Sequence, residues 1–339
     1  MTAGRWIEAD SAWWGPGGLL GPTVARLAGG RVAELAAAAP KGAGVLRLAG
    51  TLLPGLVDWH GHAGLVDLEL VRAGGIGTVR DLGWEPKAAA RLLEASRAPG
   101  SRLPALLIAG AFLSADGGYP SGRRWAPPGS VRAVRHPADA AEAVAEQVEL
   151  GATVVKVTLH PGAGPVPPAP VVEAIVAAAS AAGVGVVAHA EGAGQAELAW
   201  RCGVGELAHT PWTERLEDHL LGAMAGEAPG SMTWVSTFDI HGYGSQTPAL
   251  AVAMDNARRF VAAGGTMRYG TDLGNGDLPL GVNQREVQYL LRTGLGPEQV
   301  LAAMTWPGGP PGFVPGRLDL DPARFAASLA GARVVEVDR

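Results

Sequence analysis

One cysteine, Cys202, stands alone in 339 residues, so no intrachain disulfide can form and redox chemistry gives no support for secretion. Long apolar runs are also missing: none approaches the roughly 18 residues that a membrane helix needs. The opening stretch MTAGRWIEADSAWWG carries acids in place of the basic-then-apolar pattern of a secretory signal. The expectation is a cytoplasmic protein with no membrane partner. Charge is sparse as well, at 17% of residues with a net −5, and Lys and Arg form no block anywhere. That excludes nucleic acid as the natural partner.

Glycine (50 residues) and alanine are abundant, yet apolar periodicity persists through most of the chain, which argues against low complexity. From about Leu56 to Met304, short β-branched runs alternate with alanine-rich helical stretches. The strand candidates are GLVDWHG, IGTVRDLG, LPALLIAG, TVVKVTL, GVGVVAHA, GELAHT, SMTWVST and TMRYGTD. Several are continuously apolar, as parallel strands covered on both faces are. Between them, APVVEAIVAAASAAGV reads as a helix, with a proline in its first turn and Gly183 beyond its end. Eight such units over about 250 residues predict an α/β fold, a (β/α)8 TIM barrel. A doubly wound open sheet would not bring residues from so many strands to one point.

The barrel is expected over residues 55–306. The flanks, 1–54 and 307–339, hold a hairpin turning at Gly29-Gly30, the run VLRLAGTLL and the run GARVVEV. They are expected to form one small β-domain from both termini. Long Gly- and Pro-rich loops after the third and seventh strands have the character of functional lids.

The first strand run, LLPGLVDWHGHAG, ends in two histidines around a glycine. Residues two apart on a strand point to the same face, so His60 and His62 aim their rings at one point. A lone histidine on an apolar face is usually a packed core residue, but a pair in this register reads as metal ligands. In a barrel the other strand ends meet at the same mouth and add Lys156, His189, His209 and Asp272. The lysine is out of place as an ammonium beside a dication. It fits if CO2 adds to its neutral amine, giving a carbamate able to bridge two metals.

This set, in this order, resembles the amidohydrolase superfamily, in particular the binuclear-metal branch of prolidase-like and imidazolonepropionase-like proteins. The likeness covers nearly the whole chain and rests on LLPGLVDWHGH, GIGTVRDLG, VVKV, VVAHAEG, ELAHT and YGTDLG. It implies that His60, His62 and Asp272 hold the more buried metal and that His189 and His209 hold the more exposed one. It also implies Lys156, carbamylated by CO2, as the bridge. Tyr119, in the loop DGGYPSG, stands where the family commonly carries a histidine.

The expected function is metal-dependent hydrolysis of an amide or related C–N bond, peptide-like or cyclic, by a metal-bridging hydroxide. Two divalent ions, zinc by the imidazole-rich donor set, would serve it. Asp272 would take the proton and deliver it to the leaving nitrogen. The alternatives are a one-metal deaminase of a heterocycle with Glu191 as proton shuttle, a lactone or ester hydrolase, and a non-catalytic relative. The partner is a small-molecule or peptide-like substrate, touched by Tyr119, His160, His241 and Tyr243 from their loops, and a homo-oligomer is allowed. Glu191 is expected to orient a ligand, and Arg80 and Asp81 to pair at the barrel mouth. His136 and His219 read as surface residues, and the tryptophans as packing.

Overall fold

A computed structural model describes residues 5–226 and 230–336. Both ends of the chain build one six-stranded sheet, in the order Arg333–Val334, Gly312–Pro315, Val45–Leu53, Arg5–Ala12, Thr23–Ala28, Arg31–Ala36. Its hairpin turns where expected: Gly29 and Gly30 both take positive φ, 58° and 76°, the mirror-image turn that follows the strand twist. Ile7, Ala9, Ala25, Leu27 and Leu52 form its own small core. The run GARVVEV contributes only Arg333–Val334, and its last residue, Val337, lies outside the described residues.

The Val45–Leu53 strand runs through Pro54 into Gly55–Gly61, so the terminal sheet fixes where the first parallel strand begins. Gly55–Gly61, Thr78–Asp81 and Ala105–Ile108 pair in parallel as one arc. Phe112–Ser114, Val154–Leu159, Gly185–Ala190, Glu206–Leu207, Thr233–Val235 and Thr266–Arg268 pair in parallel as a second. The third sequence candidate, LPALLIAG, supplies Ala105–Ile108 of the first arc, and Phe112–Ser114, beyond its end, belongs to the second. Gly110, at φ 76°, stands at the break between them, where Gln147 Oε1 would lie 2.3 Å from any Cβ. That side chain instead accepts the Ala111 N–H at 2.8 Å.

Backbone hydrogen bonds cross both seams. Thr153 N donates to Ile108 O (3.0 Å) at one; Trp59 N to Tyr269 O (3.1 Å) and His62 N to Leu273 O (2.7 Å) mark the other. Helices connect the strands and carry the caps their sequences advertise. Asp67 accepts from Glu69 N and Leu70 N, and Thr247 from Leu250 N. Ala169–Ala181 runs to Gly183, which takes φ 72°. All six residues of Val154–Leu159 are buried, Lys156 and Thr158 among them, as a parallel strand covered on both faces requires. Among the described residues no helix is long and apolar enough to cross a membrane.

Candidate metal and active site

His60 and His62 leave the end of the first parallel strand buried and side by side, their ring centroids 5.4 Å apart. The glycine between them is a packing requirement as well. A Cβ at Gly61 would lie 3.0 Å from Val79 Cγ1 and 3.2 Å from Leu273 Cβ, so the neighbouring chain could not approach.

Each of the four imidazoles has one nitrogen held by a fixed partner. His60 Nδ1 meets the Ala208 carbonyl at 2.7 Å and His62 Nδ1 the Gly83 carbonyl at 3.0 Å. A carbonyl only accepts, so both Nδ1 atoms carry hydrogen and both Nε2 atoms are turned to the site. His209 Nδ1 pairs with the Thr237 hydroxyl at 3.0 Å. His189 is reversed: its Nε2 faces Glu191 Oε2 at 3.2 Å, which leaves Nδ1 for a ligand. Such outer partners set which nitrogen of a metal-binding histidine is available. Glu191 is therefore placed to orient His189, as the sequence suggested.

His60 Nε2 and His62 Nε2 converge on Asp272 Oδ1, at 3.2 and 3.3 Å. That oxygen is buried and has no hydrogen-bond partner, while Oδ2 accepts from Asn275 Nδ2 at 2.8 Å. Burial holds His60 and His209 well below the usual imidazole range, and so neutral. At His62 burial acts in the same direction but is outweighed by Asp272 and Asp81, so its imidazole is raised. The carboxylate thus draws a cation, proton or metal, to this spot. An orphaned carboxylate oxygen ringed by imidazole nitrogens fits a divalent ion. Lys156 is 1% exposed, and burial pulls its amine down to about 7.

Ligand atoms of His60, His209 and Asp272 all lie within 4.8 Å of one another, and so do those of His160, His189 and Glu191. His209 lies between the two groups, its ring 4.6 Å from His60 and 5.0 Å from His189. Three non-glycine residues have positive φ among those described: Thr237 (45°), Tyr243 (48°) and Asp272 (59°), all on the site or its loops. Strain of about 1–3 kcal/mol per residue persists only where the surroundings over-determine it.

All six sequence-derived ligand candidates line one cavity of about 110 Å³, which Tyr119 also lines. Tyr119 is stacked on His189 at 4.8 Å, and the Thr158 hydroxyl donates to its carbonyl at 2.6 Å. His160, His241 and Tyr243 stand behind the lining, against Glu191, Trp212 and Asn275 respectively. Two expectations need correction. Trp125 and Trp212 line the cavity, although the sequence read the tryptophans as packing; Trp13, buried and bonded to Glu298, does match that reading. Arg80 and Asp81 do not pair with each other. Adjacent strand residues leave on opposite sides, so Arg80 reaches Glu206 while Asp81 accepts from Ala63 N and Gly83 N. His136 and His219 are exposed, as expected.

Solved structures resemble this chain along almost its full length. A Xaa-Pro dipeptidase with bound methionine matches at TM-score 0.76 and 19% identity, over 97% of each chain. The chain has the fold of these hydrolases. Ochratoxinase of A. niger matches at TM-score 0.77 and 17% identity, covering 98% of this chain and 94% of that one. Molinate hydrolase matches at TM-score 0.72 and 14% identity, covering 98% and 93%. No family model and no curated protein sequence matches. The amidohydrolase resemblance read from the motifs therefore holds at the level of the fold.

Proposed function

We propose that this chain is a metal-dependent hydrolase of an amide or related C–N bond. In this reading the two parallel arcs are one (β/α)8 barrel over residues 55–306, and 1–54 with 307–339 form the small β-domain. The observation that carries it is the buried, unpartnered Oδ1 of Asp272, faced by imidazole nitrogens whose other nitrogens are already held. The shared fold adds support: its bearers include a dipeptidase, ochratoxinase and molinate hydrolase.

His60, His62, His189, His209 and Asp272 would hold two divalent ions, zinc by the donor set, with Lys156 between them as a carbamate. The depressed Lys156 supports that role, since only a neutral amine adds CO2. Ions held there supply an activated water and polarise the scissile carbonyl. The chain's own part is the proton. Asp272, whose Oδ1 would face an ion while Oδ2 accepts from Asn275, would take up the proton of the attacking water on its carboxylate and return it to the leaving nitrogen. Glu191 keeps His189 turned so that Nδ1 faces inward.

Protein grown with zinc and bicarbonate should contain about two ions per chain by elemental analysis, and should cleave some member of an amide panel. Lys156→Ala should lose one ion and most of the rate, with partial recovery when a short carboxylic acid is added. One ion per chain with turnover of a heterocyclic amine would replace this reading by a deaminase; cleavage of lactones alone would move it to an esterase.

A further inference from the structure

The cavity wall is aromatic to a degree the donor set does not require. Ring centroids follow one another from Trp125 to Tyr119 (6.2 Å), Tyr119 to His189 (4.8 Å), His189 to Trp212 (5.9 Å) and Trp212 to His241 (4.8 Å). All of these residues but His241 line the inner cavity. Beside it opens a second chamber of about 320 Å³, which shares His62, Tyr119, Trp125, Asp272 and Asn275 with the first. Its remaining boundary is Leu65, Gly274 and Gly276. Tryptophan and tyrosine faces in a half-buried chamber bind flat apolar groups well.

The charge balance points the same way. No Arg or Lys is among the described residues lining the outer chamber, and Asp272 is the one carboxylate among them. Arg123 lies over the Tyr119 ring at 5.9 Å, but it is exposed and not part of the lining. A carboxylate placed in the chamber would lose its water with no guanidinium or ammonium to replace it.

We propose that the substrates are amides carrying a flat, apolar, uncharged group, aryl or similarly unsaturated, which the outer chamber holds against Trp125 and Tyr119. This rests on the hydrolase reading for the reacting bond, but not for the binding preference. The test uses zinc-loaded protein and a set of uncleavable analogues, in which the amide nitrogen is replaced by a methylene group. One analogue carries an aryl group and a terminal carboxamide, one the same aryl group and a free carboxylate, and one a methyl group in place of the aryl. By calorimetry the aryl carboxamide should bind about tenfold tighter than either of the others. Trp125→Ala should weaken the aryl carboxamide by about tenfold and leave the methyl analogue within about twofold, whereas Trp125→Phe, which keeps a flat ring, should stay near the parent. Equal or tighter binding of the carboxylate, or an aryl affinity indifferent to Trp125→Ala, would overturn the proposal. Cleavage of the parent amides is scored separately: if none is cut by protein holding two ions, the hydrolase reading fails while the binding order still decides this one.

Discussion

Two groups of buried polar side chains sit inside this fold, and they are finished differently. Toward the strand starts, Arg80 and Arg268 share the carboxylate of Glu206. Oε1 is taken by Arg80, and Oε2 by Arg80 Nη1 at 3.3 Å and Arg268 Nη1 at 3.0 Å. Arg80 Nε is used as well, on the Trp59 carbonyl at 2.9 Å, and both guanidinium groups lie over the Trp59 ring. At the strand ends Asp272 leaves one buried oxygen unpartnered among imidazoles. Val154 and Val187, two residues before Lys156 and His189, join Leu82, Ala109 and Ala208 in a small apolar layer of the same interior. A completed ion cluster holds a structure together. An incomplete one, with strained backbone and fixed nitrogens around it, has what the proposed metal site would need.

If the comparison is right, the two carboxylates fail differently when neutralised. Asp272→Asn still offers an oxygen to an ion but cannot carry the proton. Its kcat should fall by about 10²–10⁴, the acidic limb of the pH–rate profile should vanish, and thermal stability should hold. A near-normal rate would pass the proton role to Glu191. Glu206→Gln should do the opposite. It strands two guanidinium groups around a neutral amide, and breaking a buried ion pair costs about 3–5 kcal/mol. Denaturant unfolding should show that loss, while the folded fraction keeps its ion content. An unfolding midpoint matching the parent would mean that Glu206 is not what neutralises Arg80 and Arg268.

A smaller effect is expected at Thr237, which holds a left-handed backbone, uncommon for a β-branched residue, and meets His209 Nδ1 with its hydroxyl. Losing such an outer partner weakens metal binding by about 10–100-fold. Thr237→Val should show this in chelator competition, and Thr237→Ser should restore affinity. Equal zinc affinity in all three would separate His209 from its hydroxyl partner.

The candidate ligands were legible in the sequence because strand periodicity is a local code. His60 and His62 share a face in any extended chain, and Lys156, His189, His209 and Asp272 each end or follow an apolar run. The hairpin at Gly29-Gly30 and the helix before Gly183 were equally local. What escaped was set by distant partners. The break at Gly110 depends on Gln147, 37 positions away, entering the space where a side chain would go. Trp125 and Trp212 sit in loops without periodicity, so nothing nearby marked them as walls. The carbonyls of Ala208 and Gly83, which select the free nitrogens of His60 and His62, belong to residues whose side chains carry no signal. Arg80 and Asp81 looked like a pair because they are neighbours in sequence, the arrangement in which a strand separates side chains.

The smallest expected effect concerns a group beside the open cluster that no ion is proposed to hold. His241 packs on Trp212 at 4.8 Å, and its Nε2 is buried without a partner. Burial lowers this imidazole to about 4, and the attraction of Asp272 and Glu191 offsets only part of that. The unfolded chain has an ordinary histidine there, near 6.5. Above that pH both states are neutral and the folded protein keeps its full stability. As pH falls from 6.5 toward 4, the unfolded chain takes up a proton that the folded one refuses, so stability is lost through that window. The slope from one such group is at most about 1.4 kcal/mol per pH unit. In chelator-treated protein the other imidazoles contribute to parent and variant alike, so His241→Gln should unfold with a shallower dependence between pH 6.5 and 4 and coincide in shape above 7. An unchanged slope would mean that His241 accepts its proton in the folded state, and that the aromatic wall around it admits water.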